Sequence, residues 1–204
     1  LASISVLIIY SISQIIFGNR KISLVAGIVA SFQPALIAST AYILTETLAT
    51  FLIVISTWAL IRAVRGQNKL SYLGAGALLG LATLSRPITL LFPLFLLIAL
   101  IIFSRQRGRA IVLTLLFSLA MASIIAPWTL RNYHLSGKFL PVGVGAGANL
   151  WIGSYQPWNG DYNYKDLSAK LKIEQGANSQ IEIDKRLQRA AIKNIENDPL
   201  GYLR

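Results

Sequence analysis

Cysteine is absent from this chain, and histidine occurs once. The first absence excludes a disulfide framework and thiolate metal sites. The second leaves His134 without a second imidazole, so a histidine metal site or dyad has no support and an interfacial structural role is expected. Charge is scarce too: 13% of residues are charged, where a soluble domain carries about a quarter. Acids are rarest where the chain is most apolar. Of the eight Asp and Glu residues, Glu46 alone falls before Asp161. The chain thus divides into an apolar stretch, 1–127, and a polar one, 128–204. A net charge of +11 would suit a nucleic-acid binder only if the cations gathered on one soluble face. In the first half they fall instead in short clusters between apolar runs, as membrane loops do. No nucleic-acid partner is expected. The chain opens on Leu1 inside an apolar run, without Met or a basic leader. That is not a signal peptide, and both ends read as cuts inside a longer protein.

The basic clusters count the membrane crossings. They are Arg20-Lys21, then Arg62, Arg65 and Lys69, then Arg105, Arg107 and Arg109. Short Lys/Arg-rich loops stay on the cytoplasmic side, so an even number of crossings must separate consecutive clusters. Ile22 to Ile61 would run about 60 Å as one helix, roughly twice the hydrocarbon thickness. Leu70 to Ser104 would run about 52 Å, again too long for one crossing. Ser85-Arg86-Pro87 marks the break in the second stretch, because proline lacks the N–H and disfavours helix at the residue before it. Six apolar helical segments are predicted: 1–17, 22–39, 46–62, 70–84, 87–103 and 110–127. The fold class is all-α, a polytopic transmembrane helix bundle, with 128–204 as an extracytoplasmic loop and amphipathic helix region.

Glu46 and Arg86 stand out. They are the charged residues of the apolar half outside the basic clusters, and both fall at outer turns. Intramembrane charges are costly and face an aqueous cavity or a partner. Two plainer readings compete: Glu46 as a helix-start acid beside Thr45, and Arg86 reaching to the headgroups.

Beyond Pro127 the stretch to Asn163 is rich in aromatics, glycine and proline without helical period, and is predicted to be an ordered loop on the membrane surface. Trp128, Tyr133, Trp151, Tyr155 and Trp158 suit an interfacial belt or, with Asn and Gly, a sugar site. The glycines of 143–147 lack the context and Lys-Ser/Thr of a phosphate loop; they suit tight turns or close backbone approach to a ligand. Ser179 and Glu182 have capping-box spacing. Ile183, Leu187, Ala191 and Ile195 then recur at helical steps, giving an amphipathic helix that ends before Asp198-Pro199. A short helix over Asn163 to Gln175 is also expected.

Taken in order, several motifs resemble a family. They are Pro34 before a turn with Thr45-Glu46, GALLGLATLSRP at 76–87, APWTLRN at 126–132, GANLWIGSYQPWNG at 147–160 and IEIDKRLQRAAIKNIENDP at 181–199. This set is similar to the dolichyl-phosphate-mannose–protein mannosyltransferase-like group, which includes the aminoarabinose transferases of lipid A. That group belongs to the GT-C superfamily of membrane glycosyltransferases. The resemblance implies an inner-membrane enzyme that transfers a sugar from a polyprenyl-phosphate donor, with inversion, to an acceptor protein, lipid or glycan at the outer face. It implies Arg86 and Arg131 as donor-phosphate ligands and Glu46 as an acceptor or metal residue. Trp128, Asn149, Trp151 and Asn159 are sugar or interface candidates. A divalent metal ion stays open as cofactor, with no ligands assigned. The general base is expected upstream of residue 1, so this segment alone is expected to be inactive. A transporter or flippase, or a non-catalytic membrane scaffold, is the alternative; no inverted repeat of the transporter kind is evident.

Overall fold

The computed structural model describes residues 1–41, 45–66, 68–104, 106–154 and 180–202. All regular structure among them is helical. The chain forms two units, Leu1–Val142 and Gly143–Arg204.

In the first unit α1 (Ala2–Phe17) ends on Gly18, whose left-handed φ of 63° lets its N–H reach the Gln14 carbonyl. Asn19 opens α2 (Arg20–Ser31) by accepting the N–H groups of Lys21 and Ile22 at 2.9 and 3.4 Å. Left-handed glycine at one end and Asn at the next satisfy the helix-end groups of both helices within a tight turn. The predicted segment 22–39 is broken. Pro34 cannot donate to the ladder, so α2 stops at Ser31 and Pro34 starts α3 (Pro34–Ala41). Then follow α4 (Thr45–Gly66) and α5 (Lys69–Ser85), whose N-cap Asn68 accepts Leu70 N–H at 3.0 Å. A 3-10 turn over Pro87–Thr89 leads to α6 (Phe92–Phe103), which begins later than the expected residue 87.

The last helix of the unit, α7 (Arg107–Ser136), runs through Pro127. The loop predicted from Trp128 is therefore helical to Ser136. The reason lies in a polar face that an apolar period does not register. Thr129 Oγ1 donates to the Pro141 carbonyl at 2.9 Å, and Asn132 Nδ2 to those of Leu140 and Val142 at 3.1 Å. Gly137, with φ 65°, then reverses the chain so that 138–142 returns along the helix.

Packing in this unit buries small hydroxyl side chains beside an apolar core and leaves large apolar residues outside. Ser5, Ser13, Ser23, Ser56, Thr83 and Thr114 are buried, while Leu7, Ile88, Phe95 and Phe103 face outward, Phe103 at 86% exposure. Small polar residues between helices and large apolar ones outside suit a lipid solvent. Ser23 Oγ donates to Gln14 Oε1 at 2.9 Å, Trp58 Nε1 to Ser11 Oγ at 3.0 Å, and Ser56 Oγ to the Ala75 carbonyl at 3.0 Å. These bonds tie α1 to α2, α1 to α4 and α4 to α5. The core gathers Leu60, Tyr72, Leu79, Phe117, Met121 and Ile125. Among the described helices, α4 and α7 are long and apolar enough to cross a membrane. The fold is an all-α membrane helix bundle.

The basic turns share one end of the bundle. Arg65 Nη2 donates to the Ile16 carbonyl at 3.4 Å, joining the ends of α1 and α4. Val64, Tyr72, Phe103 and Arg109 line one cavity, which joins the α4–α5 and α6–α7 turns.

In the second unit α8 (Ala146–Ser154) packs on α9 (Gln180–Asn197), and α10 (Pro199–Tyr202) follows. Their core is Trp151, Leu187 and Ala191, with Ile183 and Ala190 against it. At Gly147 the close approach is to a neighbouring helix, where a ligand was expected: a Cβ there would lie 2.0 Å from the Asp184 carbonyl oxygen. Asp184 Oδ1 also accepts Ala148 N–H at 3.1 Å, placing a carboxylate at the positive end of α8. The 163–175 helix, Ser179, Tyr155 and Trp158 lie outside the described residues.

Candidate functional site

The two isolated charges of the apolar half meet. Pro87 drives Arg86 into extended backbone (φ −145°, ψ 116°), which ends α5 while Arg86 N–H still bonds the Ala82 carbonyl at 2.8 Å. Glu46 stands in the first turn of the neighbouring α4, where the helix dipole favours an acid. Arg86 Nη2 forms an ion pair with Glu46 Oε1. Both side chains are part-exposed, so water competes for the pair and each remains open to a ligand. The helix-start acid and the arginine are one another's partners.

The corner that presents Arg86 is held by hydroxyls that no sequence motif singles out. Thr83 Oγ1 donates to the Leu79 carbonyl at 2.8 Å and receives a hydrogen bond from Thr89 Oγ1 at 2.7 Å. The bond spans the Ser-Arg-Pro break and fixes the angle between α5 and the 3-10 turn. A threonine on each side of a helix-breaking proline was the available signal. The guanidinium has five N–H donors, and Glu46 is its one hydrogen-bonding partner among the described residues.

Arg131 and Trp128 form a second group at the far end of α7. The Arg131 guanidinium lies 4.8 Å from the Trp128 ring centre, within the range of a cation–π contact. Trp128 Nε1 donates to the Val142 carbonyl at 2.7 Å. The indole is thus anchored to the return segment, with one face covered by the cation. His134 is exposed and meets the Tyr133 ring edge-on at 6.4 Å between centroids. Beside this group, Leu90, Ile125, Pro127, Leu130, Tyr133 and Phe139 are among the residues lining an open apolar groove of about 1000 Å³.

The remaining candidates lie in the second unit or outside the described residues. Trp151, predicted to stack on a sugar or float at the interface, is 4% exposed and sits in the α8–α9 core. Asn149 is exposed on α8, and Asn159 lies outside the described residues. For a divalent ion, no three of His, Asp and Glu come together among the described residues. Glu46 is the one carboxylate at its turn and already faces a guanidinium, so the residues described do not by themselves fit a metal site.

A family model described as dolichyl-phosphate-mannose-protein mannosyltransferase matches residues 1–130. The match spans the helices that carry Glu46 and Arg86 and ends inside the Trp-Thr-Leu-Arg-Asn motif of α7; the motifs at 147–160 and 181–199 lie beyond it. No curated protein and no solved structure matches the chain.

Proposed function

Because the chain belongs to the dolichyl-phosphate-mannose-protein mannosyltransferase family and is a GT-C-type membrane glycosyltransferase, we propose that its Glu46–Arg86 corner receives the phosphate of a polyprenyl-phosphate sugar. The observation that carries this reading is the arginine itself, held at the bundle end opposite the basic turns with one acid partner among the described residues for its five N–H donors. In the proposed reaction an acceptor hydroxyl attacks the anomeric carbon and its proton passes to a general base. The bond from that carbon to the phosphate oxygen breaks with inversion, and the polyprenyl phosphate departs carrying the electron pair. Negative charge on the phosphate grows as the bond breaks. A guanidinium at the rim of the bilayer stabilises that charge more than it would in bulk water.

Glu46 has a positioning role in this scheme. It draws Arg86 toward α4 and keeps its charge compensated until the donor arrives. The apolar groove beside Leu130 suits the isoprenoid chain, with Arg131 as a second cation near its mouth. The orientation proposed is Glu46–Arg86 outward, the basic turns cytoplasmic, and residues 128–204 on the outer side of the inner membrane. The acceptor, protein, lipid or glycan, is set by residues beyond this corner.

Glu46→Gln tests the positioning role. It keeps the shape and removes the charge, so Arg86 is held by a weaker neutral hydrogen bond. The expected result is a several-fold rise in KM for the polyprenyl-phosphate sugar with a smaller change in kcat. Unchanged kinetics would reduce Glu46 to a helix-start residue. A transporter reading predicts instead that Glu46→Gln alters the movement of labelled lipid across vesicles that contain no acceptor.

A further inference from the structure

At the opposite end of the bundle, the cavity that joins the basic turns has a chemistry of its own. Its volume is about 370 Å³, and Val64, Leu100, Phe103 and Leu113 form its apolar wall. Tyr72, Ser104, Gln106 and Arg109 supply its polar lining. Tyr72 is 2% exposed and lines the cavity, so what exposure it has is to this space. A ligand that accepts a hydrogen bond from its hydroxyl there would do so away from bulk water. The start of α7 opens at the same place, and its N-cap Gln106 makes no side-chain capping bond. The positive end of a long helix therefore faces the cavity beside Arg109.

The surroundings select an anion. Arg20, Lys21, Arg62, Arg65, Lys69 and Arg107 crowd this end, whereas the one acid of the first unit, Glu46, is held by Arg86 at the other. The cavity also lies where the apolar surface begins: Phe103 on its wall is 86% exposed and Ile102 beside it 67%. Its volume holds a headgroup but not acyl chains, which would run outside along these two residues.

We infer that this cavity binds the phosphate headgroup of an anionic phospholipid, with Tyr72 O–H and Arg109 as its ligands. The lipid would brace the α4–α5 turn against the α6–α7 turn. The site stands apart from the Glu46–Arg86 corner and does not rest on the proposed reaction.

The test titrates the purified full chain in detergent with phosphatidylglycerol and reads the first bound lipid by native mass spectrometry, with phosphatidylcholine as the neutral probe. Tyr72→Phe keeps the packed ring and removes one hydrogen bond to a charged group. It should weaken the first phosphatidylglycerol about tenfold and leave phosphatidylcholine unchanged. Arg109→Gln should weaken it at least as much, while Arg62→Gln, at the same end but outside the cavity, should change it less than threefold. Unaltered binding by Tyr72→Phe would overturn the site, as would equal losses from Arg62→Gln and Arg109→Gln. Displacement of the lipid by millimolar inorganic phosphate would overturn the lipid as ligand in favour of a soluble phosphate ester.

Discussion

Arg86→Ala is expected to lower sugar transfer by about 100-fold or more, the range seen when one donor to a developing oxyanion is removed. The rate is read in membranes that carry the protein and are supplied with polyprenyl-phosphate sugar. The loss should fall mainly on kcat, since phosphate charge grows as the anomeric bond breaks and the guanidinium matters most there. Arg86→Lys should recover part of the rate. It restores a charge but not the planar fork that serves Glu46 and a phosphate together. Membrane insertion should persist in both variants, because Arg86 sits after the last turn of α5 and is exposed. Wild-type turnover by Arg86→Ala would end the phosphate role and leave only the ion pair.

Gly76→Ala should unfold the bundle more readily than any surface change, and Gly74→Ala should do the reverse. The two glycines lie on the same helix, in the same sequence context, and differ in what faces them. A Cβ on Gly76 would sit 2.2 Å from the Phe117 carbonyl oxygen and 2.9 Å from its carbon. Those are backbone atoms of α7, so no side-chain rotation relieves the clash and the helices must move apart. Gly80, one turn on, is also tight, with Ile124 Cβ and the Met121 carbonyl oxygen at 2.9 Å. Phe117, fully buried at 0% exposure, would lose its seat between α5 and α6. Overpacking of this kind costs about 1–3 kcal/mol, or a fall in Tm of roughly 3–10 °C. A Cβ on Gly74, which is exposed, would have nothing within 4 Å. Alanine there removes the helix penalty of glycine, up to ~1 kcal/mol, and should raise Tm slightly. Light-scattering or dye-monitored melting in detergent measures both. A Gly76→Ala protein as stable as wild type would mean that α5 and α7 can separate at no cost.

Much of the fold was legible in the residues because its causes are local. In a solvent that offers the backbone no hydrogen bonds, an apolar segment satisfies its own N–H and C=O groups by forming helix. Lys and Arg clusters mark the turns, and Asn19 and Asn68 cap the helices that follow. The break at Arg86-Pro87 needed only proline's geometry. The same local logic went wrong at two places. Pro34 cut the 22–39 segment, although its effect is of the same kind as that of Pro87. Pro127 did not end α7, because Thr129 and Asn132 found acceptors on a chain segment that returns from beyond Gly137.

The candidate site divides along the same line. By itself the sequence determined that Glu46 and Arg86 are anomalous, since a charge in an apolar stretch is costly wherever the helices go. It also determined the membrane class and the resemblance to a glycosyltransferase family. Only the tertiary structure decided that these two charges are partners, that Trp151 is core rather than a sugar platform, and that Tyr72 faces a cavity among cations. Each of those outcomes depends on how a helix is rotated about its axis and which neighbour it meets. Rotation is set by contacts such as Gly76 against Phe117 and Gly147 against Asp184, which lie far apart in the chain. No local pattern encodes that pairing, whereas burial and charge are properties each residue carries alone.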